Sequence, residues 1–121
     1  MCTGCYRYSL VDVSVIDGTT RQPLPEVTLE PHYRRFLEFF PPDLTPVVTD
    51  TNGRARLHIC TNYKSGYAGI YVNTDSFLRD EPLPSGVVTL PLAVLREHEE
   101  KPYELQIVLI SIEAHRAKYR D

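Results

Sequence analysis

Three cysteines and four histidines are the residues of this 121-residue chain best suited to chemistry. Cys2 and Cys5 have Cys-x-x-Cys spacing, and His58 and Cys60 lie two apart, on one face of any strand that carries them. Together these four side chains would complete a tetrahedral Cys3His zinc set. In a reducing compartment the cysteines would be three plain thiols, and in an oxidising one two would pair and leave one over. His32, His58, His98 and His115 are scattered, and none shares a recognisable motif with a Ser or Cys nucleophile. Asp50, in Thr49-Asp50-Thr51-Asn52-Gly53, offers a carboxylate to a cation, but no Glu follows at the EF-hand distance. Capping of its own turn accounts for Asp50 more simply. Glu99-Glu100 form a carboxylate pair inside the charged run 96–104, which reads as a solvated loop. The expectation is that no cofactor is bound.

Positioning any of these groups falls to a single domain. The chain is 42 % hydrophobic and 24 % charged, enough for one core, and no apolar run approaches the roughly 20 residues of a spanning helix. A net charge of -3, with Arg34-Arg35 the one adjacent basic pair, gives no field to gather polyphosphate, so nucleic acid is not an expected partner. Ten prolines and six glycines are spread along the chain as punctuation between short strands. Over residues 8–17, Val11, Val13 and Val15 share one face while Asp12 and Ser14 share the other. A turn follows, in which Gly18 is free to take positive φ, and a second strand at 26–31 returns with Val27 and Leu29 inward. In residues 46–59, Asn52-Gly53 predicts a left-handed hairpin turn, followed by Ala55, Leu57 and Ile59 inward and Arg54, Arg56 and His58 outward. Further strands are expected at 67–73, 86–95 and 103–110, which makes about seven and predicts an all-β sandwich. The predicted core is Val11, Val13, Val15, Leu57, Ile59, Leu105 and Ile107.

Two segments break the strand pattern. Near 32–42, Tyr33, Phe36, Leu37 and Phe40 fall at helical spacing before Pro41-Pro42 and predict a short helical or loop insert. Its rings either cap an open end of the sandwich or form an interaction patch of Phe36, Phe39 and Phe40. Residues 111–121 read as a last helical turn or a frayed tail. The expected organisation is a tether over 1–7, a domain over 8–110 and a tail over 111–121.

The run Val11 to Pro31, with Asp17 closing the first strand and Pro23-Leu24-Pro25-Glu26-Val27 as a "plpgv"-like turn, followed by the Thr-Asp-x-x-Gly of residues 49–53, resembles the transthyretin-like, carboxypeptidase-regulatory-like modules. The motifs cover residues 8–60, and strand rhythm alone continues the likeness to 110. That resemblance implies a prealbumin-like sandwich used as a folded spacer or interaction module. One branch of the fold is enzymatic, the 5-hydroxyisourate hydrolases. Asn52-Gly53-Arg54 is similar to their Asp-Gly-Arg and Tyr119-Arg120 to their closing Tyr-Arg, but Ser14 stands where they place His, and His115 is too near Tyr119 to match their other His. Without that imidazole no base is evident for activating water. An internal Lys–Asn isopeptide bond, found in another branch, is not expected either: residues 8–17 contain no Lys and 103–110 no Asn.

Cys2, so near the start, also resembles the mature end of a bacterial lipoprotein. Read that way, Cys2 carries lipid and anchors the chain to a membrane, and Cys5 and Cys60 pair as a disulfide, although strand parity puts Cys60 on the outward face. The leading expectation is a non-enzymatic module of the bacterial cell envelope with a possible protein partner. The alternatives are a small hydrolase, a zinc-binding module, or a cytoplasmic protein with reduced thiols. A pocket converging on Arg54, His58 and Tyr119 would favour the hydrolase.

Overall fold

A computed structural model describes residues 8–33, 45–61, 67–98 and 100–120. Cys2, Cys5, Phe36, Phe39, Phe40 and Glu99 lie outside the described residues, so the lipid, disulfide and aromatic-patch expectations have only Cys60 within them. The elements in chain order are β1 (Tyr8–Asp17), β2 (Thr28–Tyr33), β3 (Val47–Val48), β4 (Arg54–Cys60), β5 (Tyr67–Asn73), β6 (Phe77–Arg79), β7 (Val87–Pro91), α1 (Leu92–Arg96), β8 (Tyr103–Ser111) and α2 (Ile112–Lys118). They form an all-β sandwich of two four-stranded sheets, ordered β4-β1-β8-β6 and β3-β2-β5-β7. Among the described residues all pairings are antiparallel except β1 with β8, which run parallel from Val11 opposite Tyr103 to Asp17 opposite Leu109.

Period-2 alternation builds the core as the sequence predicts. Val11, Val13, Val15, Leu57, Ile59 and Ile107 of the first sheet are buried against Leu29, Ala68, Ile70 and Leu90 of the second. Leu105 is only half-buried, because it lies near the start of β8 and packs against the edge of the cluster. Cys60 departs from its parity: it is fully buried, beside the equally buried Ile59, so the outward face is covered at that end of β4. Ser9 continues the inward phase of the valines, and its buried hydroxyl donates to Leu95 O at 2.6 Å.

Several local expectations are corrected. β6 is an eighth strand, too short to show alternation among the turn residues around it. The strand predicted over 86–95 ends at Pro91, which caps α1 with extended backbone, and Leu92 and Leu95, three apart, are buried on one helical face. β2 runs on through His32 and Tyr33, where Tyr33 pairs with Ala68, so the insert begins later than expected.

The Asn52-Gly53 turn does not close a hairpin. β3 pairs with β2 and β4 with β1, so residues 49–53 carry the chain from one sheet to the other. Only Gly53 has positive φ there, at 71°. Asp50 holds the turn, its Oδ1 accepting from Asn52 N at 2.8 Å and Arg54 N at 3.0 Å, while Gly53 N donates to Asp50 O at 2.9 Å. Thr49, 3 % exposed, bridges to the preceding turn by donating to Leu24 O at 2.8 Å and accepting from Val27 N at 2.9 Å. Replacing it with Val keeps the shape and leaves both backbone groups without that partner. Thr49→Val should therefore cost about 2 kcal/mol in urea unfolding, within the range for stranded buried polar groups.

Gly18 is also explained differently. Its φ is not positive; a Cβ there would meet Val108 Cγ1 at 2.9 Å and Ile110 Cγ2 at 3.0 Å, so this position needs glycine for close approach to β8. The non-glycine residues of positive φ among the described residues are Arg21 and Glu26, each at φ 63°. Glu26 occupies the glycine place of the "plpgv"-like turn and is exposed. Glu26→Gly should raise stability by about 1 kcal/mol, because the strain of a side chain in this backbone region outweighs the added freedom of the unfolded chain. An unchanged or lower unfolding midpoint would contradict that account.

Candidate functional site

The outer face of the first sheet gathers a group of polar side chains. Even-numbered residues of β1 and β4 point outward, and cross-strand register sets Asp12 opposite Arg56 and Ser14 opposite Arg54, with Glu104 and Gln106 of β8 beside Asp12 and Ser14. Asp12, Ser14, Asp50, Arg54, Arg56, Glu104 and Gln106 line a shallow depression of about 560 Å3. Arg56 clamps Asp12 with two hydrogen bonds, Nε to Oδ1 at 2.6 Å and Nη2 to Oδ2 at 3.0 Å. The hydrogen bond from Arg56 is the main reason the Asp12 carboxyl sits below its ordinary pKa. Arg54 forms no ion pair among the described residues and adds to that lowering through its charge.

Ser14 and Arg54, the two positions compared with the hydrolase branch on β1 and β4, thus face one another. The other residues of that comparison lie elsewhere. His58 pairs with Leu10 further along β4 and meets the Tyr8 ring edge-on, with centroids 6.5 Å apart. Tyr119 lines a separate depression with Glu113, His115, Arg116 and Arg120. The described lining of the Arg54 depression contains neither His58 nor Tyr119, so the convergence that would favour the hydrolase is not formed. Among the described residues no three or more His, Cys, Asp and Glu side chains gather as a metal site, and Asp50 is committed to its turn.

Tyr119 instead belongs to a latch that sequence reasoning missed. Ser111 caps α2 by accepting from Ala114 N at 3.1 Å, but no residue of α2 is buried. Polar contacts to the β6–β7 connection hold it. Lys118 Nζ reaches both Asp80 oxygens at 2.8 and 2.9 Å, Tyr119 Oη donates to Asp80 Oδ1 at 2.7 Å, and His115 Nε2 lies 2.7 Å from Glu81 O. The hydrogen bonds from Lys118 and Tyr119 hold the Asp80 carboxyl below its ordinary pKa, and the hydrogen bond to Asp80 raises both Lys118 and Tyr119. The lowered carboxylate contributes above about pH 4 and is lost as pH falls through its folded value. The raised Lys118 and Tyr119 contribute below about pH 10 and are lost as pH rises through theirs. Backbone NMR shifts of residues 112–118 should therefore move toward coil values at both extremes while β1 stays folded. Asp80→Asn should loosen the helix at neutral pH and abolish the acid limb.

The second sheet presents Tyr67 and Tyr71, 59 % and 39 % exposed, on either side of Gly69. His32, Tyr67, Gly69, Val87 and Thr89 line a smaller depression there, of about 260 Å3. Period-2 alternation in β5 sets this face, since Ala68, Ile70 and Val72 take the inward positions.

No helix among the described residues is long and apolar enough to cross a membrane. No protein-family model matches the chain, and no curated protein matches it. Solved structures share the fold at low identity. A 9R-lipoxygenase from Cyanothece PCC8801 is similar at 16 % identity and TM-score 0.53 over 87 % of this chain. A 3-chlorocatechol 1,2-dioxygenase from Rhodococcus opacus 1CP is similar at 14 % and 0.55 over 89 %, and a streptococcal ancillary pilin at 13 % and 0.52 over 85 %. The chain spans 17 %, 62 % and 30 % of those three proteins respectively.

Proposed function

We propose that the chain is a non-enzymatic, transthyretin-like module of the bacterial cell envelope that acts as a spacer or protein-interaction domain, tethered through lipid on Cys2. The observation that carries this reading is the use made of the family-like motif. Thr49, Asp50 and Gly53 join the two sheets and hold the turn at residues 23–27, so these residues are spent on building the scaffold. An ancillary pilin contains the same sandwich as 30 % of its length, which supports use as one module in a larger surface assembly. Expressing the natural gene with an alkyne-tagged fatty acid tests the tether. Label and membrane fractionation that both disappear with Cys2→Ser are expected; an unlabelled wild-type protein in the soluble fraction would overturn the envelope assignment.

The facing Ser14 and Arg54 favour a second reading, a hydrolase derived from the same scaffold. Under the first reading, purified protein leaves the ring opening of 5-hydroxyisourate at its rate in buffer. Acceleration that Arg54→Ala removes would establish the second.

A further inference from the structure

Accounting for the backbone hydrogen bonds at the sheet edges singles out β4. β1 flanks it on one side and no described strand on the other. Val15 N donates to Gly53 O at 2.7 Å, and that bond fixes the alternation. Ala55, Leu57 and Ile59 exchange backbone hydrogen bonds with Val13, Val11 and Ser9, so Arg54, Arg56 and His58 turn their N–H and C=O groups away from the sheet. Asp50 seals the first of these, its N–H donating to Arg54 O at 2.9 Å and its Oδ1 accepting from Arg54 N at 3.0 Å. Arg56 and His58 then keep two donors and two acceptors unpaired among the described residues.

The other edges are shorter or more nearly closed than β4, the β7 edge keeping the outward N–H and C=O of Thr89. On β7, Arg79 Nη1 donates to Val87 O at 3.0 Å, Ser85 Oγ accepts from Val87 N at 3.1 Å, and Pro91 has no N–H. β3 has two residues and β6 three, with Arg79 O of β6 already accepting from Glu81 N at 2.8 Å.

We infer that the β4 edge is a docking site for an extended, acidic segment of a partner protein, which adds a fifth strand at Arg56 and His58. Charge chooses the occupant. Arg54, Arg56 and His58 all project from the outer face, where Arg54 is without an ion pair among the described residues and Arg56 is shared with Asp12. A segment with acidic side chains at alternate positions meets Arg54 and Arg56 across the new ladder, and apolar residues between them extend the buried face. A second copy of β4 fits poorly. Antiparallel self-pairing about Leu57 sets Arg56 opposite His58 and gathers the guanidinium groups of both copies on one face. The same charges that guard the edge against aggregation thus select a partner of opposite sign.

The inference deepens the reading of the chain as an interaction module, and its test does not depend on the tether. The probe is an acetylated, amidated heptapeptide of alternating Glu and Val, titrated into the full chain and followed by amide NMR, with a Lys/Val peptide as control. The expected result is shifts and slowed hydrogen exchange centred on the Arg56 and His58 amides, with the Lys/Val peptide inert. His58→Pro removes an outward N–H that β1 does not use and should weaken binding by about tenfold, as the loss of a hydrogen bond or two predicts. Exchange protection at Val11 and Val13 reports whether that variant keeps its β1–β4 pairing. Arg54→Glu, which leaves every backbone group in place, should weaken the Glu/Val peptide and admit the Lys/Val one. No shift at millimolar peptide, equal binding of both peptides, or concentration-dependent dimerisation through β4 would each overturn the inference. Failure of Cys2 labelling would leave the peptide result standing, and absence of peptide binding would leave the tether standing.

Discussion

Gly53→Ala should lower the urea unfolding midpoint sharply, with a loss on the order of 3 kcal/mol. Two costs combine. The residue sits at φ 71°, where an L side chain is strained by roughly 1 kcal/mol. An added Cβ would also lie 2.5 Å from Val15 O and 3.0 Å from both Leu24 N and Pro23 Cβ. Those neighbours cannot retreat easily, because Val15 N is bonded to Gly53 O and Leu24 N to Val15 O. Relieving the contact means shifting the crossover between the sheets, a rearrangement of the overpacking kind that typically costs about 1 to 3 kcal/mol. A loss below about 0.5 kcal/mol would show that the crossover is more pliable than its hydrogen bonds imply.

Leu57→Ala should cost a comparable amount, roughly 2 to 4 kcal/mol, for a different reason. Leu57 is 1 % exposed, lies opposite Val11 across β1 and faces the second sheet within the core cluster. Truncation removes apolar contacts and leaves a cavity that two hydrogen-bonded sheets are slow to fill. Arg54→Ala, three residues earlier on the outer face of the same strand, should change stability by less than about 0.5 kcal/mol. Comparing the two midpoints checks the phase of β4 directly; similar losses would mean that the inward and outward faces had been misassigned.

Much of the sandwich was legible because period-2 alternation reports burial, and burial dominates at Val11, Val13, Val15, Leu57 and Ile59. Partnership was less legible. Asn52-Gly53 carries the same local signal whether the next strand returns beside β3 or crosses to the opposite sheet, since the choice rests on contacts with Val15 and Leu24 far along the chain. Gly18 was misread for a related reason: small size and positive φ both favour glycine, and only the approach of Val108 and Ile110 separates them. Leu92 and Leu95 resembled the end of a strand because a five-residue helix offers one turn of periodicity. On the candidate surface, the facing of Ser14 and Arg54 follows once β1 and β4 are known to pair. The Asp80 latch spans 38 residues from Lys118, a separation that leaves no local trace in the sequence.

The parallel pairing of β1 with β8 sets how the sandwich would respond to a pulling force. The two strands run side by side in the middle of the first sheet, with Tyr8 at the leading end of one and Ser111 at the trailing end of the other. Tension applied between those two points pulls the strands lengthwise past each other, so the row of hydrogen bonds between them is loaded together in shear rather than opened one by one like a zipper. Resistance of that kind is a property of topology, set by which strand lies beside which.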